Sequence, residues 1–313
     1  MENKVFDFVG KRKIFCVIPL IIAAITIIVA LILGVEVDIE FKGGTMLTYS
    51  YSGTIDTAKV KSTVEGLNLG TVGVTTGSAF GSDLETVQVS FSSASGLTAD
   101  VQYQVSDTLA AALPENDLTL VNSQDVNPSA GFSFFLKCFV AVIFSFILLV
   151  IYIAFRFKNI GGWSAGMFSL VALANDVFMV FASFVFFRLP IDANFMAVIL
   201  TILGYSINST IVMFDRVREN RKLYGKKMDI PELVNSSIWQ TLTRAMKTTI
   251  TTVLAVLAMC VVALVCGVES IVSFVFPMLV GLIAGAYSSV FISGPLWAAW
   301  NTRPGADAKN KKK

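Results

Sequence analysis

Histidine is absent from the 313 residues of this chain. Its absence excludes the Ser-His-Asp triad, the Cys-His pair, His-bearing zinc sites and the HExxH protease helix together. Charge is scarce: 15% of the residues are Asp, Glu, Lys or Arg, against about a quarter in a soluble domain. The four cysteines, Cys16, Cys138, Cys260 and Cys266, all lie in or at the ends of apolar runs. None falls in the one large polar stretch, so a disulfide-stapled domain is excluded and the four read as small buried hydrophobes. Without histidine or paired intramembrane aspartates, an intramembrane protease or acyltransferase is disfavoured; the chain reads as no enzyme, with no metal and no cofactor.

Apolar residues are what it has in abundance, at 55%. They come in continuous runs without the alternation of a membrane barrel, so the spans are helical. Six runs approach the ~20 residues that a ~30 Å hydrocarbon core requires: 14–34, 132–155, 161–187, 193–214, 248–267 and 271–300. Lys11, Arg12 and Lys13 precede the first run as in a signal peptide. The run outlasts an h-region and no small-residue cleavage site follows, so it reads as an uncleaved span. Residues 188–192 and 266–270 form tight turns between spans three and four and between five and six.

Nineteen of the 24 Lys and Arg residues fall on one side: residues 1–13, the turn after span two, residues 215–247 and the tail 301–313. By the positive-inside rule both termini are cytoplasmic and residues 35–131 form one extracytoplasmic domain. Within it, alternating or helical spacing predicts strands over 45–51, 71–76, 86–92 and 118–126 and helices over 56–67 and 98–113. The order βαββαβ points to a small α+β ferredoxin-like domain, better suited to recognition or leverage than to catalysis. Gly43-Gly44 supplies a backbone bend or a plain turn before the first strand. On the cytoplasmic side, Asp229, Pro231 and Glu232 are spaced to start an amphipathic helix, expected along the membrane surface and leading into span five. Gly281 and Gly285 form a GxxxG contact pattern in span six.

Polar residues inside the apolar runs carry the functional signal, because hydrocarbon offers them no hydrogen-bond partners. Asp176 lies about halfway along span three beside Asn175. A carboxylate there costs roughly 2.5–3.5 kcal/mol, so it is paired or hydrated, for ion handling or for a structural hydrogen bond to a neighbouring helix. Thr201, Tyr205 and Asn208 form a stripe on span four, widened by Ser206 and Ser209. Span five opens with Thr248, Thr249, Thr251 and Thr252, and hydroxyls of this kind also bond back to their own helix. Together they predict a polar seam through spans three, four and five, with Arg244 near its cytoplasmic mouth.

These residues resemble a known family. The run Phe8 to Lys13, Phe41-Lys-Gly-Gly-Thr45, Ile151 to Arg156, Gly204 to Asn220, Thr241 to Arg244 with Thr251-Thr252, and Gly285 to Ser289 are similar, in order, to SecF subunits of the SecDF accessory complex of the bacterial Sec translocase, in the RND superfamily. The resemblance implies a SecD-like partner with six pseudo-symmetric spans, association with the SecYEG channel, a translocating preprotein, and use of the ion gradient across the bacterial cytoplasmic membrane. It implies no nucleic-acid partner. It makes Asp176 and Arg244 ion-coupling candidates, with Asn175, Tyr205, Asn208 and Ser209 beside them. Asp215, Arg216, Arg218 and Glu219 form the cytoplasmic motif, and Gly43, Gly44, Gly204, Gly281 and Gly285 packing or hinge points. Two departures stand out: Asn175 replaces a common His, and Ser209 replaces a usual Asp, an acid that serine cannot imitate. Coupling then rests on Asp176, Arg244 or carboxylates of the partner. The alternative is an RND-type small-molecule or ion transporter, disfavoured by six spans and one small domain.

Overall fold

The structure, a computed structural model, describes residues 6–78, 85–92, 96–225, 227–266 and 269–303. Six helices are long and apolar enough to cross a membrane, and a four-stranded antiparallel sheet is inserted between the first two. The helices are α1 (Arg12–Leu33), α5 (Pro128–Arg156), α6 (Gly162–Phe186), α7 (Ala193–Tyr224), α8 (Ile230–Val265), and a last span in which α9 (Glu269–Ser288), a π-helical turn (Ser289–Ser293) and α10 (Gly294–Asn301) run on without a break. The middle of the 266–270 turn and the tail from 304 onward lie outside the described residues.

Local chemistry sets the starts of α5 and α7. Asn127 caps α5 by accepting from the Ser129 amide at 2.9 Å, with Pro128 in the first turn, where its missing N–H costs nothing. Asp192 caps α7 through the Phe195 amide at 3.1 Å. Asp229 occupies the cap position of α8, but its side chain makes no capping bond. The surface helix expected before span five is not a separate element. Residues 230–265 form one helix of 36 residues, about 54 Å at 1.5 Å per residue. Leu233, Val234 and Ile238 on its first turns are buried in the bundle core.

Between α1 and α5 lie α2 (Ile39–Lys42), β1 (Gly44–Tyr51), α3 (Thr57–Glu65), β2 (Thr71–Ser78), β3 (Glu85–Ser92), α4 (Ala99–Ala112) and β4 (Thr119–Val126). The strands pair antiparallel in the order β2-β3-β1-β4. Alternate residues of β1 and β3 (Leu47, Tyr49, Val87, Val89, Phe91) meet Val60 and Val64 of α3 and Val105 and Leu109 of α4 in a core separate from that of the bundle. β4 is an edge strand whose side chains are almost all exposed.

Entry and exit of this insert are pinned together. Gly43 and Gly44 have φ of +80° and +143°, a region that side-chain-bearing residues seldom adopt. A Cβ on Gly43 would stand 2.4 Å from Pro128 Cα, and one on Gly44 would stand 2.0 Å from the Phe91 carbonyl oxygen. The neck is also strapped to the turn between α6 and α7. Val37 bridges Ile191, the Asp38 amide donates to Ile191 O at 3.0 Å, and the Ile191 amide donates to Glu36 O at 2.9 Å. Glu40 accepts from the Ala193 amide at 3.0 Å, while Arg188 pairs with Glu36 and donates to Leu33 O at 2.8 Å.

Candidate functional site

Asp176 is fully buried midway along α6. Its Oδ2 accepts hydrogen bonds from Ser206 on α7 at 2.5 Å and from Ser288 on α9 at 2.8 Å. Oδ1 has only a long contact, 3.4 Å, to the Asn175 amide nitrogen. Hydroxyl donors from two helices offset much of the cost of desolvating a carboxylate, since a hydrogen bond to a charged group contributes about 1.5–3 kcal/mol. The free position on Oδ1 leaves room for a proton.

Small residues bring these three helices close enough. A Cβ on Gly281 would fall 2.6 Å from Ile202 Cγ1 and 2.8 Å from Val180 Cγ2, and one on Gly285 would fall 3.0 Å from Ser206 Cβ. The GxxxG pattern thus seats α9 on α6 and α7, and Ser288, one turn further, reaches Asp176. Ser288 is a site residue that the sequence reading missed. Its signal was the stripe of small residues at 281, 285 and 288.

The remaining candidates separate from Asp176. Thr201, Gly204 and Asn208 face outward along α7, and Arg244, Thr248 and Thr251 face outward along α8. Nothing approaches Gly204, so it is no packing point within this chain. Tyr205 and Ser209 are half-buried beside that stripe, and Tyr205 Oη reaches Thr249 Oγ1 at 3.5 Å. Thr248, Thr251 and Thr252 bond back to carbonyls of their own helix at 2.9–3.1 Å. The single seam expected through spans three, four and five is therefore two features. One is a sealed cluster of α6, α7 and α9, and the other is an open stripe of α7 and α8.

At the bundle end opposite the sheet, Asp215 pairs with Arg156 at 3.1 Å and with Arg218 at 2.7 Å. Arg216 pairs with Glu219 at 2.6 Å and donates to Gln240 Oε1 at 2.5 Å. Asn220 donates to Ser237 at 2.8 Å and Gln240 at 2.9 Å. Asp215, Arg216, Arg218, Glu219, Gln240 and Arg244 line an open groove of about 620 Å³. Arg244 belongs to this groove rather than to the Asp176 cluster. The N-terminal segment docks nearby: the amides of Phe8 and Val9 both donate to Asn235 Oδ1 at 3.0 Å, and Asn235 Nδ2 donates to Asp7 at 2.9 Å. The Gly10 amide, the largest cause, and the Asn235 side-chain bond hold the Asp7 carboxyl below its ordinary pKa. No group of three or more metal-ligating side chains occurs among the described residues.

Residues 105–303 match the family model for the C-terminal part of the protein export membrane proteins SecD and SecF. The chain belongs to the SecD/SecF family. It is 34% identical to protein translocase subunit SecF of Alicyclobacillus acidocaldarius, over 95% of this chain and 94% of that one. To protein translocase subunit SecDF of Bacillus subtilis it is 31% identical, over 95% of this chain but 38% of the relative. The crystal structure of SecDF, a translocon-associated membrane protein from Thermus thermophilus, superposes with a TM-score of 0.80 at 29% identity, over 96% of this chain and 39% of that one. The chain thus spans nearly the whole of SecF and about two fifths of the SecDF polypeptides. With six apolar helices and this family, it is a multi-pass bacterial membrane protein.

Proposed function

We propose that this chain is the SecF half of a SecDF-type complex, which pairs with a SecD-like subunit and assists passage of preproteins through SecYEG at the expense of the transmembrane ion gradient. Both termini are then cytoplasmic, as the basic residues gathered at the end opposite the sheet favour. The sheet domain, read as ferredoxin-like from its strand order, then stands outside.

The observation that carries this reading is a carboxyl group with room for a proton, held by hydroxyls of two other helices in the middle of the bundle. An intramembrane acid in such a setting is an ion-handling group by default. The outward-facing stripe supports the partner: Thr201 is satisfied by Ala197 O at 2.8 Å, but hydrocarbon gives the exposed amide of Asn208 nothing to bond. A SecD-like chain would cover it and could supply the acid that Ser209 lacks. A fused relative, the B. subtilis SecDF, joins such halves in one polypeptide.

Asp176→Asn keeps the hydroxyl contacts and removes the titrating group. In inverted vesicles carrying the complex, gradient-driven export should fall to the level of vesicles lacking this chain, with normal recovery of the subunit. Wild-type export by that variant would refute the coupling role.

A further inference from the structure

The buried polar groups around Asp176 are distributed unevenly along the bundle. On the sheet side, Val180, Phe184, Ile199, Ile202, Val275 and Leu279 are all buried, and the buried hydroxyl of Ser183 is satisfied by Val180 O at 2.7 Å. Toward the opposite end the interior contains polar atoms with no hydrogen-bond partner in the chain: Thr210 Oγ1, Ser293 Oγ and Asn220 Oδ1, together with Asp215 Oδ1, which has only its ion pair with Arg218. Thr210 and Ser293 are completely shielded from outside solvent. A buried hydroxyl left unpaired costs about 1–3 kcal/mol, and internal water is the usual way such a cost is met.

The helix register puts Thr210 and Ser293 on the stretch of α7 and the last span that follows the Asp176 contacts. Gly281 lies against Ile202, Gly285 against Ser206 and Gly294 against Met213, so α7 and the last span run side by side in one direction. Thr210, one turn beyond Ser206, is therefore level with Ser289. Ser293 stands a further turn along. The π-helical turn Ser289–Ser293 occupies this same stretch and begins at the residue after Ser288. A π turn widens a helix and offsets its carbonyl groups, which is why it recurs at functional sites. Unpaired hydroxyls, small residues and the widened turn coincide on one side of the carboxyl.

We infer that Thr210, Ser293 and the π turn hold a file of internal water molecules that connects Asp176 with the bundle end opposite the sheet, while the apolar layer on the other side keeps the carboxyl dry. The inference deepens the proposed ion-coupling role and rests on it for its purpose. A proton arriving along the file adds to the Asp176 carboxylate, and one returning to the same side leaves by the same waters. Net transfer then needs the second exit that only a change in helix packing, or the partner, provides.

The test is hydrogen–deuterium exchange of the Asp176 carboxyl, followed by infrared spectroscopy of the purified full chain in lipid nanodiscs at acidic pH. The band is isolated as wild type minus Asp176→Asn. In the double variant Thr210→Val, Ser293→Ala, exchange should slow at least tenfold. It should stay at the wild-type rate in Thr210→Ser, which keeps the hydroxyl, and in Ser183→Ala, on the dry side. Equal rates in all proteins, or slowing in Ser183→Ala as well, would overturn the file. Slowed exchange in the double variant together with normal export by Asp176→Asn would leave the file standing and remove the coupling reading, so the two failures are distinguishable.

Discussion

Ser288 and Ser206 divide the task of holding one carboxylate oxygen, and neither is redundant. Ser288→Ala leaves Asp176 with a single close donor, Ser206. The expected outcome is a loss of about 1–3 kcal/mol in folded stability, measured by unfolding in detergent, and a much smaller loss in the double variant Ser288→Ala, Asp176→Asn. Asp192 gives a pH signature of its own. Burial raises its carboxyl above the ordinary aspartate value, opposed by the Phe195 and Asn194 bonds and reinforced by Glu40 and Asp38. A group whose folded pKa is raised contributes its stability fully below the ordinary aspartate range and loses it as pH rises through the folded value. Melting temperature should therefore decline as pH rises over that interval. Asp192→Asn, which still caps α7, should flatten the decline.

At the scale of elements, Asn235 deserves a test, since one side-chain oxygen receives two backbone amides from the other end of the chain. Asn235→Ala strands the amides of Phe8 and Val9, and their hydrogen exchange should accelerate about tenfold or more, the equivalent of 1.4 kcal/mol or above. Acidification through the lowered pKa of Asp7 should loosen the same contact, because a depressed carboxyl contributes stability above its ordinary range and loses it as pH falls through the folded value. Nothing in the spacing of Asn235 marked it, because its partners are backbone atoms some 226 positions away. Strands and helices of the inserted domain were legible because alternation and helical spacing report a buried face directly. The first turns of α8 were not. Their polar face looked like a membrane-surface helix, yet no Gly or Pro interrupts the chain between Glu232 and Val265, and the bundle core accepts Leu233 and Ile238. Asp176 and Ser206 could be singled out by their polarity alone. That they meet each other and Ser288, rather than the threonines of α8, depends on which helix the glycines of α9 approach, and a single sequence does not specify that direction.

Across the whole molecule, the open stripe on α7 and α8 predicts a partner surface. Cysteines at Thr201 and Asn208 should cross-link to a co-expressed SecD-like chain in native membranes, whereas cysteine at Leu20, an exposed apolar position of α1, should not. Labelling of all three positions alike, or of none, would count against the stripe as the subunit interface. The strap between the neck and the α6–α7 turn has a mechanical consequence as well. Asp176 stands ten residues before the end of α6, about 15 Å by helix rise, and the same hairpin carries Ile191, Ala193 and Arg188, which fasten residues 33–40. Carboxyl and neck are thus mounted on one stiff pair of helices. A rotation of that pair which opens the Asp176 cluster must swing the root of the sheet domain through the same angle, so the hairpin serves as an axle shared by the interior of the bundle and the domain beyond it.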